Sequence, residues 1–179
     1  MKSVRRGVSP VIATVLLLVI TVVLVGIIAG FVVPFVNKLL TGSGECYDVL
    51  KDLEFKDTGY SCYVSAPAPG YTGFSVRVND AAIAGFRVVL YSEGTAEPRE
   101  VIGGIPSDTV RTLNGDFNTP LTLPPVGGVS TYVTQGAFNK IELFPLLTTG
   151  RTCDVSDTME VSPCNNATVI TKLTSPPTP

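Results

Sequence analysis

The sequence contains no histidine and no tryptophan, and only 16% of its 179 residues are charged. Without imidazole the chain lacks both the side chain that most often moves protons near neutral pH and the commonest metal ligand. Nucleophile–histidine pairs and histidine metal sites are therefore excluded. No Cys-x-x-Cys pair is present either, so a metal site is not expected, and neither is a cofactor. The carboxylates Asp48, Asp52, Glu54 and Asp57 sit among Val49, Leu50, Leu53 and Phe55 and read as a solvated face. A calcium loop would need more closely spaced oxygen ligands and a glycine at the turn. The chain is not expected to be an enzyme.

Positive charge is equally sparse. Three of the thirteen basic residues, Lys2, Arg5 and Arg6, stand in the first six positions, leaving ten basic residues against fifteen acidic ones. The others are scattered singly, as at Lys51, Lys56, Arg77, Arg87, Arg99 and Arg111, and read as ordinary solvated charges. No basic patch suited to a phosphate backbone results, which excludes nucleic acid as a partner.

The last absence is of any charge between Gly7 and Asn37. From Val11 to Val36 only Thr14 and Thr21 interrupt the apolar run. A hydrocarbon core needs about 20 apolar residues in a helix, so this run can span one. The basic cluster before it places the N-terminus in the cytoplasm and the chain beyond the span outside. Ser9 can cap the helix, and Pro10 falls in the first turn, where its missing N–H costs nothing. A helix over residues 8–40 is expected. Within it Gly26 and Gly30 form a Gly-x-x-x-Gly pair on which another helix can approach closely. Pro34 removes a hydrogen bond to the Gly30 carbonyl and should bend the axis. An ordinary secretory signal has a shorter apolar core followed by small residues. Here the run is longer, and the small residue, Gly7, precedes it, directly behind Arg5 and Arg6.

The stretch Arg6-Gly7-Val8-Ser9-Pro10-Val11-Ile12 and the Thr-containing apolar run after it resemble the N-terminal segment of archaeal type IV pilins. The resemblance covers about the first 35 residues. It implies a class III leader, residues 1–7, cut between Gly7 and Val8 by a membrane-embedded prepilin peptidase that recognises Arg5, Arg6 and Gly7. Bacterial type IV pilins carry glutamate as the fifth mature residue. Ile12 stands there in this chain, which favours the archaeal branch. Archaellins share the leader logic but begin with a Gly-rich apolar pattern, so a pilus subunit ranks above a motility subunit. The implied protein is a structural subunit of an adhesion pilus: held in the membrane as a precursor, then packed by the pilus assembly machinery into an extracellular helical filament of identical chains. The alternatives are a membrane-anchored extracellular binding module that never polymerises, and a minor pilin or archaellin-like subunit.

The physics of the segment supports that scheme without the family. Positive charges ahead of the span hold it in the bilayer, since dragging them through lipid costs several kcal/mol. Once they are removed, an apolar helix leaving lipid must find other apolar surface, which neighbouring copies provide.

Thr41 to Glu45 read as a flexible hinge. Beyond it the period changes to alternation. Strands are expected at residues 74–79, 86–91, 109–113, 130–134, 139–144 and 167–173, separated by glycine and proline clusters. The fold class is therefore α+β: a long apolar helix, then an all-β head, residues 46–174, of immunoglobulin-like sandwich type. A Pro/Thr tail, 175–179, ends the chain. Cys46, Cys62, Cys153 and Cys164 lie in the exported part, where an even number favours disulfides. Four cysteines allow three pairings, and closure of short loops favours Cys46 with Cys62 and Cys153 with Cys164. Asn166-Ala167-Thr168 is an N-glycosylation sequon, so Asn166 is a candidate glycan site.

Overall fold

In the computed structural model the backbone is described for residues 10–175 and the side chains for residues 11–36 and 44–175. The chain divides into two units, Met1–Glu45 and Cys46–Pro179. The described residues of the first are helical. Helix α1 runs Pro10–Ile27, a π turn occupies Ile28–Val32, and α2 runs Val33–Val49. Helical backbone thus passes through 41–45, the segment read as a hinge. Glycine in a helix costs only about 1 kcal/mol relative to alanine, and serine less. Two residues just beyond the segment offset this cost, because Val49 enters the head core, 3% exposed, and Cys46 is covalently tied.

The head is built on two sheets. One has the order β10-β2-β3-β7-β6, with β1 also paired to β3; the other has the order β5-β4-β8-β9. The first contains β1 (Leu53–Phe55), β2 (Cys62–Val64), β3 (Tyr71–Val78), β6 (Val110–Thr112), β7 (Val129–Gln135) and β10 (Ser162–Pro163). The second contains β4 (Ile83–Ser92), β5 (Thr95–Ile102), β8 (Lys140–Leu147) and β9 (Asp157–Glu160). Every pairing is antiparallel except β10 with β2.

Alternation accounts for the core. Along β8 every second residue is buried, so Ile141 and Leu143 face inward with Phe86, Val88 and Leu90 of β4. Opposite them stand Phe74 and Val76 of β3 and Tyr132 of β7. The Phe86 and Tyr132 rings meet edge to face at 5.4 Å and join the two sheets. Strand β3 is buried on its other face too. There Ser75 Oγ pairs with Thr58 Oγ1 at 2.5 Å and Thr131 Oγ1 at 2.8 Å, and a Cβ on Gly73 would meet the Tyr60 carbonyl.

One expectation needs correction, and β1, β2, β5, β9 and β10 lie outside the expected strands. Residues 167–173, read as a strand from their β-branched content, form helix α3, Ala167–Thr174. Asn166 caps it, accepting a hydrogen bond from the Thr168 N–H at 2.9 Å, and the inward residues Val169, Ile170 and Leu173 recur at helical spacing. Strand β5, not foreseen, pairs with β4 through Ser92↔Thr95 around Glu93 and Gly94, both at positive φ. Pro98 lies within it and is tolerated because β5 is the edge of its sheet.

Candidate functional site

The uncovered part of the helical unit is its whole apolar length. Val11–Val36 forms one 26-residue span in which no residue is buried. At about 1.5 Å per residue it is some 39 Å long, more than the roughly 30 Å of a bilayer core. The two hydroxyls on it are satisfied within the helix: Thr14 Oγ1 donates to the Val11 carbonyl at 2.9 Å and Thr21 Oγ1 to that of Leu18 at 2.8 Å. The span therefore offers a partner an apolar surface with no unmet donor at either threonine.

Gly26 and Gly30 lie at the join of α1 and the π turn. A Cβ added to either would meet nothing within 4 Å, so neither glycine is required by its own subunit's packing. The widened turn has a local cause in Pro34, which has no N–H to offer the Gly30 carbonyl. One residue earlier the Val33 N–H reaches back five residues to the Ile28 carbonyl. Four residues overshoot one turn of an α-helix and fall short of one turn of a π-helix. Winding that passes from one to the other thus sets Gly26 and Gly30 closer to one line along the helix axis. Arg5, Arg6, Gly7 and Val8, expected to form the leader recognition and cleavage residues, lie outside the described residues, as does the tail beyond Ser175.

All four cysteines are bonded, but not in local loops. Cys46 pairs with Cys153 and Cys62 with Cys164, across 107 and 102 residues. The expected pairing of Cys46 with Cys62 and Cys153 with Cys164 is thereby corrected. The sheets dictate the partners: parallel pairing of β10 with β2 sets Ser162 beside Cys62 and Pro163 beside Tyr63, which brings Cys164 to β2. The Cys153 N–H donates to the Pro145 carbonyl of β8, and Cys46 packs against the core cluster to which Cys153 belongs.

Arg111 is a second correction. Read as solvated, it is only 2% exposed. One terminal nitrogen donates to the carbonyls of Thr112, Leu113 and Gly115 at 3.0–3.2 Å, the other to those of Lys172, Leu173 and Ser175 over the same range. The last three belong to the C-terminal end of α3, where carbonyls lack helical partners and the macrodipole favours a cation. The guanidinium also lies over the Phe117 ring at 5.5 Å. Burial lowers its pKa, and the nearby Asp116 opposes the shift. Its partners are backbone oxygens, so no charge pattern in the sequence signals it.

Among the described residues no cluster of three or more His, Cys, Asp or Glu could hold a metal. Glu54 is paired with Lys56 at 3.0 Å and Arg77 at 3.7 Å, while Asp57 accepts from the Gly59 N–H. On the outer face of β8, hydrogen bonds from Lys140 and Tyr91 hold the Glu142 carboxyl below its usual range. These are structural uses.

Asn166 is exposed, and its Oδ1 is the acceptor that caps α3. Capping uses the oxygen and a glycan would use the nitrogen, so the two roles do not compete. Asn166→Ala is expected to lower head stability by about 1 kcal/mol. Thr168→Ala removes the sequon and keeps the cap, because the capping donor is the backbone N–H. Thermal unfolding of the two variants, paired with intact-mass measurement of the native product, separates the roles.

Residues 6–38 match the family model described as archaeal type IV pilin, N-terminal. No curated protein and no solved structure matches the chain, so the immunoglobulin-like description of the head has no support from a solved relative.

Proposed function

We propose, from the match of residues 6–38 to the family model of the archaeal type IV pilin N-terminus, that this chain is a structural subunit of an adhesion pilus. Its leader is cut between Gly7 and Val8 by a prepilin peptidase that reads Arg5, Arg6 and Gly7. The pilus assembly machinery then moves the helix from the membrane into the core of a homo-oligomeric filament. The observation that carries this reading is the coincidence of that family segment with a 26-residue span of which nothing is buried. Such a surface is stable in lipid or against other apolar helices, and in water it is not. Tight packing on Gly26 and Gly30 and a disulfide-bonded β coat outside the core complete the scheme, with Asn166 carrying a glycan on that coat.

N-terminal sequencing of protein sheared from the cell surface is the direct test. The expected first residue is Val8, in material that forms filaments by electron microscopy. A chain that retains Met1 and stays with the membrane after shearing would instead identify an anchored binding module. Val8 at the N-terminus with only trace recovery would identify a minor pilin or archaellin-like subunit.

A further inference from the structure

We propose that the two disulfides act as parallel covalent bypasses, either of which alone keeps the head from being drawn out when it is pulled against its helix. The basis is the order of the bonds along the chain. The cysteines occur as 46, 62, 153 and 164, and the bonds join the first to the third and the second to the fourth. A pull between the two ends of the protein can follow the backbone to Cys46, cross to Cys153 and continue to the C-terminus. It can also follow the backbone to Cys62, cross to Cys164 and continue. Both routes skip nearly all of the two sheets, since β3 to β8 lie between Cys62 and Cys153.

The two routes are closely matched in length. The first runs through the 46 residues up to Cys46 and the 27 from Cys153 onward; the second runs through 62 and then 16. Each route is therefore under half of the chain. Neither bond adds much to the other's restraint, and removing either leaves the head as short as before. Local pairing of the kind expected from loop length would not do this, because residues 62–153 would remain on the line of force.

The consequence extends to a pull applied within the head. No residue between Cys46 and Cys153 is further from Cys46, along covalent bonds, than about half of their 107-residue separation. The filament reading supplies only the source of the pull, a coat gripped from outside while its helix is held in a core. The covalent path lengths do not depend on it.

The test is single-molecule stretching of the full, uncleaved chain in detergent micelles, with peptide handles at Met1 and Pro179. At up to roughly 3.6 Å per residue, the oxidised protein should reach about 26 nm and the fully reduced protein about 64 nm. Cys62→Ser with Cys164→Ser should leave about 26 nm, and Cys46→Ser with Cys153→Ser about 28 nm. Restraint is thus lost only when both bonds are gone. A single-bond variant extending beyond about 40 nm overturns the proposal, as does an oxidised protein reaching about 55 nm, the length that local pairing would allow. If a serine variant does not fold, its two remaining cysteines can pair only with each other, and the same limiting length is read from the unfolded oxidised chain. Loss of filaments in the shearing test would leave these lengths unchanged, so the two proposals fail separately.

Discussion

Gly26→Leu is expected to remove filaments from the cell surface while leaving the subunit's own fold intact. Within the subunit the change is harmless or better, since there is open space where the side chain would go and leucine is a stronger helix former by close to 1 kcal/mol. Any defect must then arise between helices. If Gly26 and Gly30 are the surface on which neighbouring helices approach, a leucine there forces the axes apart, and overpacking of this kind costs about 1–3 kcal/mol. In a polymer the cost recurs at every subunit. At about 2 kcal/mol, the subunit concentration needed for growth rises roughly thirtyfold. Gly26→Ala, a smaller step, should retain filaments at reduced yield. The measurement is the ratio of sheared filament to membrane-held protein by immunoblot, with head folding checked by disulfide content. Wild-type filament yield from Gly26→Leu would show that the glycine pair takes no part in assembly.

Arg111→Met should cost the head about 3–5 kcal/mol, because it leaves several buried carbonyls without a donor at about 1–3 kcal/mol each, partly offset by water. Hydrophobic replacement of a buried ion pair can be neutral, because both charges leave together. That escape is closed here. The partners are six backbone carbonyls, which mutation cannot remove, three of them at the end of α3. Left without donors, each costs up to a few kcal/mol unless water enters. A loss of this size lowers the unfolding temperature of a domain this large by about 10 °C or more. Arg111→Lys should fall between, since a single ammonium cannot serve two groups of carbonyls on opposite sides. Thermal unfolding with the disulfides intact measures both. A shift under about 3 °C for Arg111→Met would mean that water takes over the guanidinium's bonds.

The parts legible in the sequence are those whose signal is local and periodic. Val11–Val36 announces a helix by the absence of charge, β3 announces itself by alternation and β4 by a short apolar run. Where local preference and tertiary context disagree, context decided. Ala167-Thr168-Val169-Ile170-Thr171 is β-branched enough to suggest a strand, yet a cap at Asn166 and a buried Leu173 make it α3. Strand β5 is mostly exposed and so shows no alternating buried face, and its edge position tolerates Pro98. The disulfide partners were not legible, because proximity in sequence says little once a sheet brings Cys164 back to β2. Burial of Arg111 was hidden for the same reason: its partners are main-chain atoms of α3 and the loop after β6. Of the candidate site, the apolar span and the glycine pair were visible from the start. The π turn was not, although Pro34, which explains it, was.

The seam that fastens α3 to the rest of the head has one further property. A guanidinium and six amide oxygens neither gain nor lose protons over the range in which carboxylates and imidazoles do. Acidifying the medium leaves the bonds between them in place, and the chain has no imidazole to become charged. The C-terminal helix therefore stays fastened as the surroundings turn sour.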